Sequence, residues 1–201
     1  ASTQKFSYGA PTIAADGLSI QTDGTAGGAT NLVVTGTNFG TSGATVKIGG
    51  TACTATAHGA GAAAHTSLTC TVPAGVGAAI DVTVESGTLT QGGTAQTSAA
   101  STQKFSYGAP TIAADGLDVH TDVTGGGASV VVTGTNFGTA DAVVKIGGTA
   151  CTATAHGAGA AAHTSLTCTV PAGVGAAIDV TVVTGTLTQG GTAQTSAAST
   201  Q

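Results

Sequence analysis

The stretch that decides the fold runs from residue 46 to residue 84 and reads VKIGGTACTATAHGAGAAAHTSLTCTVPAGVGAAIDVTV. The same letters recur without change at residues 144–182, an offset of 98 residues. Solenoid repeats are about 20 to 50 residues long, whereas an autonomous β-sandwich domain has roughly 100. The repeat therefore predicts two tandem domains.

Within each copy, short runs of Val, Ile and Thr alternate with small residues and are separated by Gly-rich segments. This alternation is typical of β-strands, and no window of helical length shows a 3.6-residue period. We predict an all-β protein with two tandem immunoglobulin-like β-sandwich domains of about seven strands each. Strands of the first domain are expected at Thr12–Ile20, Asn31–Thr37, Thr45–Ile48, Ala52–Thr56, Ser67–Val72 and Ile80–Glu85.

The seventh strand of the first domain has to come from later in the chain. The candidate is a segment just before Pro110, because proline suits the first edge strand of a new domain. It consists of Lys104, Phe105, Ser106 and Tyr107, and the same four residues occur earlier as Lys5, Phe6, Ser7 and Tyr8.

This placement predicts the domain boundaries. Residues 1–8 form a terminal strand that belongs to a preceding or neighbouring domain, and residues 9–107 form domain 1. Residues 108–201 form domain 2, which lacks its own last strand. Two explanations stay open: the chain is a window of a longer array, or the first strand of one subunit pairs into the second domain of the next.

Three motifs carry a resemblance to a known family: VVTGTNFG at residues 33–40, KIGGTAC at 47–53 and TCTVPAG at 69–75. In order and spacing they resemble the IPT/TIG domain family. The segment FSYGAPTI at residues 105–112 also looks like the junction between consecutive IPT/TIG domains of bacterial surface proteins. The resemblance implies an early-set immunoglobulin-like sandwich that acts as a spacer, an adhesive module or an interaction domain.

The four cysteines form one pair in each repeat: Cys53 with Cys70, and Cys151 with Cys168. An even count in a chain poor in bulky core residues predicts one disulfide per domain. A zinc site would require cysteines two to four residues apart, and neither pair has that spacing. Disulfides indicate an oxidising compartment, so we expect a secreted or cell-surface protein.

Two other groups of side chains are candidate metal sites. The histidines His58, His65, His156 and His163 flank a Gly-Ala loop in each repeat. We favour an exposed strand connection that carries no core residue. The acids Asp115, Asp118 and Asp122 resemble a calcium cluster, but Asp118 is Ser19 in the first repeat, so solvated loop acids are expected instead. The sequence predicts no metal and no cofactor.

Composition excludes several functions. Only 6% of residues are charged and the net charge is −5, whereas nucleic-acid binding needs clustered Lys or Arg. Gly, Thr and Ser interrupt every apolar run, so membrane insertion is not expected. No nucleophile elbow, paired-carboxylate signature or phosphate loop is present, so we predict that the chain is not an enzyme.

We therefore expect a non-catalytic structural repeat module of a secreted or cell-surface filament, sheath or giant surface protein. Head-to-tail joining by strand complementation is one of the two explanations that stay open for its ends. Its partners would be other copies of itself or adjacent domains of the same array, with surface glycans as further candidates. The alternative is an adhesin or carbohydrate-binding module that acts through end loops. A third class, an accessory domain of an exported enzyme, predicts a catalytic domain elsewhere in the gene.

Overall fold

The computed structural model describes residues 4–87, 93–185, 187 and 189–200. The chain divides into two compact units. Unit 1 comprises Ala1–Gln21, Thr30–Pro73 and Asp81–Phe105; unit 2 comprises Thr22–Ala29, Ala74–Ile80 and Ser106–Gln201. Two end loops of the first repeat, residues 22–29 and 74–80, thus belong to unit 2.

The strands follow the repeat. Those of the first repeat are β1 Thr12–Leu18, β2 Thr22–Asp23, β3 Asn31–Thr37, β4 Thr45–Ile48, β5 Thr51–Ala52, β6 Thr54–His58, β7 Ser67–Thr71 and β8 Val82–Glu85. They are followed by β9 Ser106–Tyr107, β10 Thr111–Leu117, β11 Ser129–Thr135, β12 Val143–Ile146, β13 Thr149–Ala150, β14 Thr152–His156, β15 Ser165–Thr169 and β16 Val180–Val183. A short 3-10 turn precedes β7 at Gly61–His65 and precedes β15 at Gly159–His163.

Unit 1 contains a four-stranded sheet in the order β1-β3-β7-β6 and a three-stranded sheet in the order β5-β4-β8. All of these pairs are antiparallel. Every second side chain of the central strands points inward, as the period of two requires. The resulting core contains Leu32, Val34, Val46, Ile48, Leu68, Val82 and Val84, all fully buried.

Unit 2 repeats this arrangement with the sheets β10-β11-β15-β14 and β13-β12-β16. Its core contains Val130, Val132, Phe137, Val144, Leu166, Val180 and Val182. Two sheets that face each other across an aliphatic core are the architecture of an immunoglobulin-like sandwich. The predicted fold class is confirmed, including its tandem organisation.

Glycine at position 36 lets β1 and β3 approach each other. A Cβ at Gly36 would overlap the carbonyl oxygen of Thr12 and the ring of Phe39. Phe39 is fully buried, so the glycine leaves the space that this ring fills. Gly134, Thr111 and Phe137 repeat the arrangement in unit 2.

Most of the expected strands lie where they were predicted, with ends that differ by at most two residues. The exception is the expected strand Ala52–Thr56, which is divided into β5 and β6. β5 pairs with β4 in one sheet, whereas β6 pairs with β7 in the other. The chain therefore passes from one sheet to the other at Cys53.

The prediction for the last strand is corrected by the structure. The free edge of β8 is lined by residues 96–101, since Ser98 and Ser101 donate backbone hydrogen bonds to Val84 and Val82. In unit 2, Ser196 and Ser199 bond to β16 in the same way, so this domain has its own last segment. Ser106–Tyr107 instead forms a separate parallel pair with β2.

Across the part of the chain that is described, no helix is long and apolar enough to cross a membrane.

Candidate functional site

Each cysteine pair lies between the two sheets of its sandwich. Cys53 stands at the crossing from β5 to β6, and Cys70 is an inward-facing residue of β7. Both are buried, and the Cys53 thiol hydrogen-bonds to Cys70. Cys151 and Cys168 are related in the same way in unit 2. All four are thiols in the structure, so the disulfide of each domain stays a prediction.

The environment of three of these thiols, Cys70, Cys151 and Cys168, disfavours the thiolate. The hydrogen bond with Cys53, followed by burial, raises the pKa of Cys70. Burial and then the hydrogen bond with Cys151 raise the pKa of Cys168. Burial also raises the pKa of Cys151. Since the thiolate is the reactive form, a raised pKa makes Cys70, Cys151 and Cys168 less reactive toward exchange in the folded domain.

The loop between β6 and β7 is held in place by a histidine. Nε2 of His58 accepts a hydrogen bond of 3.1 Å from the Ala44 amide, and its Nδ1 lies 2.8 Å from the Ala64 carbonyl oxygen. Ala64 is buried, so the prediction that this loop carries no core residue is wrong. His156 makes the equivalent bonds to Ala142 and Ala162.

Two of the three predicted loop acids cap backbone amides, whereas Asp115 lies within strand β10. Asp118 accepts a hydrogen bond from the Val131 amide, as Ser19 does from Val33 in the first repeat. Asp122 accepts from Ala128 through its second carboxylate oxygen. Among the residues described, no group of three or more His, Cys, Asp or Glu side chains converges on a metal position.

The segment Lys104–Tyr107 is fixed at every residue. In unit 1, Lys104 forms an ion pair with Asp81, and Phe105 is fully buried. In unit 2, Ser106 accepts a hydrogen bond of 3.1 Å from the Ala79 amide. The Tyr107 amide donates to Gly77 at 2.8 Å. The aromatic side chain of Tyr107 is also buried.

An open cavity of about 430 Å³ lies at one end of unit 2. A volume of about 300–1,000 Å³ is usual for a pocket that holds a small ligand. Its apolar lining includes Leu117, Val119, Val130, Ile146, Val174 and Ile178. Val174 is 83% exposed and Ile178 is 40% exposed.

The equivalent residues of the first repeat are covered. Val76 corresponds to Val174 and is 7% exposed; Ile80 corresponds to Ile178 and is fully buried. The two loops have the same sequence, since both lie within the unchanged stretch. The difference in burial therefore comes from what surrounds each loop and not from its residues.

In the segment Lys5–Tyr8 it is the first copy whose aromatic side chains are exposed and the second copy, Lys104–Tyr107, whose aromatic side chains are buried. Phe6 is 84% exposed and Tyr8 is 68% exposed, whereas Phe105 and Tyr107 are buried. The rings of Phe6 and Tyr8 pack edge to face with their centroids 5.2 Å apart. The two rings thus form one exposed apolar patch.

A family model describes nearly all of this architecture. The model of the IPT/TIG domain matches residues 18–107 and again residues 120–199. The chain belongs to the IPT/TIG domain family. The two TIG matches together cover well over half of the chain, and they reproduce the tandem order that the repeat predicted. This is a family of immunoglobulin-like domains without a catalytic centre of its own.

Several solved structures are similar to these tandem TIG domains. The extracellular region of plexin A4 is 21% identical, with a TM-score of 0.38, over 87% of this chain and 14% of that chain. A protein crystallised with a xylogluco-oligosaccharide is 17% identical, with a TM-score of 0.43, over 91% of this chain and 42% of that chain.

A protein of the Bacteroides ovatus mixed-linkage glucan utilization locus, in complex with a heptasaccharide, is 16% identical. Its TM-score is 0.33, and the match covers 92% of this chain and 44% of that chain. This chain thus spans less than half of each of these three structures. No curated protein matches it.

The sequence identified the segments Lys5–Tyr8 and Lys104–Tyr107 but not the cavity. The cavity arises from loops on different strands, and its residues are spread from Leu117 to Ser199. The sequence carries no signal for the cavity, because Val76 and Val174 have identical neighbours in sequence and only the structure shows that their exposure differs.

Proposed function

We propose that these tandem TIG domains are a non-catalytic structural module of a secreted or cell-surface filament, sheath or giant surface protein. In such an assembly the near-identical domains add length and present the same surfaces repeatedly. Copies or neighbouring domains are joined end to end. The observation that carries the proposal is the contrast between Val76, buried at one domain end, and Val174, exposed at the equivalent end of the next domain.

Three further observations support an extracellular structural role. Each sandwich brings a cysteine pair together in its core, which suits an oxidising compartment. With 6% charged residues, the surface favours close lateral packing over electrostatic steering of a charged partner. Of the side chains that the sequence offers as metal ligands, His58, His156, Asp118 and Asp122 instead bond to the backbone.

The experiment is immunogold electron microscopy of the source cells with antibodies against the recombinant chain. The proposal predicts gold particles along extracellular fibres or a surface layer, spaced regularly at the length of one or two domains. Labelling confined to the cell interior, or to isolated particles, would contradict it. A thiol-labelling experiment on the same native material checks the compartment, and extracellular material should label only after reduction.

The alternative function is an adhesin or carbohydrate-binding module. One observation favours it: the residues that differ between the repeats, such as Val119, His120 and Val123, lie at the cavity of unit 2. Copy-specific residues at a pocket suit a ligand. A glycan array probed with the chain, with Val174→Asp as the control, tests this alternative. Binding that the control loses would favour the adhesin.

A further inference from the structure

We propose that the open end of unit 2 binds the segment Lys5–Tyr8 of a second copy of this chain. The joint deepens the structural function proposed above, on which it rests, by naming the partner and the contacts. Its core is the insertion of Phe6 and Tyr8 into the cavity beside Val174 and Ile178.

The cavity has the character of an interrupted core. Val119, Ile146 and Ile178 line it, and their counterparts in the first repeat include the fully buried Ile48 and Ile80. Exposed aliphatic surface of this extent is unfavourable in water, and it is stabilised when an apolar group covers it. An apolar occupant therefore suits the cavity.

The segment that would fill it is present in the same chain. Residues 5–18 and residues 104–117 are identical in sequence. Phe105 is buried in unit 1, and Tyr107 is buried beside the end loop of the first repeat, where its amide bonds to Gly77. Phe6 and Tyr8, by contrast, are exposed. The chain thus carries one exposed copy of the aromatic segment and one open copy of the loops against which such a segment packs.

The polar contacts of Lys104–Tyr107 provide the expected register. Lys104 pairs with Asp81, and the corresponding pair across the joint is Lys5 with Asp179. The two side chains of this pair carry opposite charges. Their attraction therefore favours the same alignment of the segment as the insertion of its aromatic rings does.

The hydrogen bonds that the backbone makes with Ser106 and Tyr107 predict further contacts across the joint in the same register. The Ala79 amide donates to Ser106, and the corresponding donor toward Ser7 is the amide of Ala177. The Tyr107 amide donates to Gly77 O, for which Gly175 O is the counterpart toward Tyr8.

A second contact lies beside the aromatic segment. Within unit 2, Thr25 Oγ1 lies 2.9 Å from Nδ1 of His163, and the Thr25 amide donates to Asn136 at 3.3 Å. Across the joint the counterparts are Thr124 of one copy, with His65 and Asn38 of the next. His65 is exposed in the structure, whereas His163 is partly buried. The joint would therefore bury His65 to a similar extent.

The experiment is sedimentation velocity of the 201-residue chain from micromolar to millimolar concentration. We expect the mean sedimentation coefficient to rise with concentration, as for open head-to-tail association. Removing the donor rings with Phe6→Ala and Tyr8→Ala should weaken the association by roughly 10- to 100-fold, as for the aromatic anchors of other interfaces. Val174→Asp, a change at an exposed residue, should have a similar effect.

A mixing experiment separates this joint from non-specific association. The donor variant keeps the cavity, and the Val174→Asp variant keeps Phe6 and Tyr8. At a concentration where the parent chain has just assembled, each variant alone should stay largely monomeric, and an equimolar mixture should give a dimer that grows no further. Thr152→Asp places the same charge on the exposed strand β14 and should assemble as the parent chain does.

Three results would overturn the proposal. The parent chain could stay monomeric at all concentrations, both variants could assemble as the parent does, or the mixture could fail to form a dimer. A monomeric chain found together with regular extracellular fibres in the immunogold experiment would reject this joint and leave the structural function standing. Circular dichroism of each variant identifies any that fails to fold, and Ile178→Asp then replaces Val174→Asp.

Discussion

The hydroxyl of Thr25 lies 2.9 Å from Nδ1 of His163 in unit 2. The equivalent histidine of the first repeat, His65, is exposed. Two histidines in identical sequence surroundings thus differ in environment, because a loop packs against only one of them. The same asymmetry between repeats separates Val76 from Val174, and it gives the molecule one completed and one open domain end.

Folding should become less favourable in acid because of His163. Burial, followed by repulsion from His156, lowers the pKa of His163. The unfolded state, with a histidine pKa of about 6.5, therefore binds the proton more readily than the folded state. The stabilisation is fully present above about pH 6.5 and is lost as the pH falls through the lowered folded value.

Urea denaturation at a series of pH values measures this effect. His163→Asn should flatten the decline of unfolding free energy below about pH 6.5. His65→Asn is the matched control, since it removes a histidine from the equivalent exposed position. Equal acid sensitivity of the parent chain and the His163→Asn variant would show that this residue does not contribute.

The cysteine pairs should form disulfides when the protein is produced in an oxidising compartment. Intact-mass measurement should find the chain lighter by two hydrogens per domain, and peptide mapping should link Cys53 to Cys70. Closing a loop of this size stabilises a domain by about 3 kcal/mol in the chain-entropy estimate. Thermal unfolding with and without reductant measures the difference, and identical transitions would contradict the pairing.

The close approach of β10 and β11 should make position 134 intolerant of any side chain. Gly134→Ala places a Cβ against the carbonyl oxygen of Thr111 and the Phe137 ring. The expected loss is about 1–3 kcal/mol of unfolding free energy, as for other overpacked positions. Gly125→Ala is the control, because a Cβ there meets nothing within 4 Å. Equal stability of the two variants would show that the close approach is not required.

The same substitution at equivalent positions should have different consequences. Val76→Asp introduces a carboxylate at a buried site and should destabilise the chain by about 2–4 kcal/mol. Val174→Asp alters an exposed residue, and its effect on the isolated chain should stay within about 0.5 kcal/mol. Chemical denaturation below the association range compares the two. Equal losses would mean that the cavity of unit 2 is closed in solution.

The sequence was sufficient to predict the architecture, because the repeat and the two-residue alternation of the strands can be read directly from short stretches of it. The strands Asn31–Thr37 and Thr45–Ile48 were predicted with both ends correct. The last strand was misplaced because residues 96–101 contain small polar residues and show no apolar alternation. They line β8 through backbone bonds from Ser98 and Ser101, which a side-chain pattern does not reveal.

The sequence pattern also did not predict the role of the loop histidines. His58 joins the amide of Ala44 to the carbonyl of Ala64, and these two residues lie 14 before and 6 after it in the chain. A contact of this kind depends on how the loops fold back. The likeness of residues 5–8 to residues 104–107 was visible in the sequence, but the different exposure of their rings was not.

The most direct test of the account is an electron cryo-microscopy map of the assembled protein at side-chain resolution. The account predicts a filament of tandem TIG domains in which the rings of Phe6 and Tyr8 from one copy occupy the cavity beside Val174 and Ile178 of the next. A map in which that cavity is empty, or holds a sugar or another chain while Phe6 and Tyr8 face solvent, would contradict it.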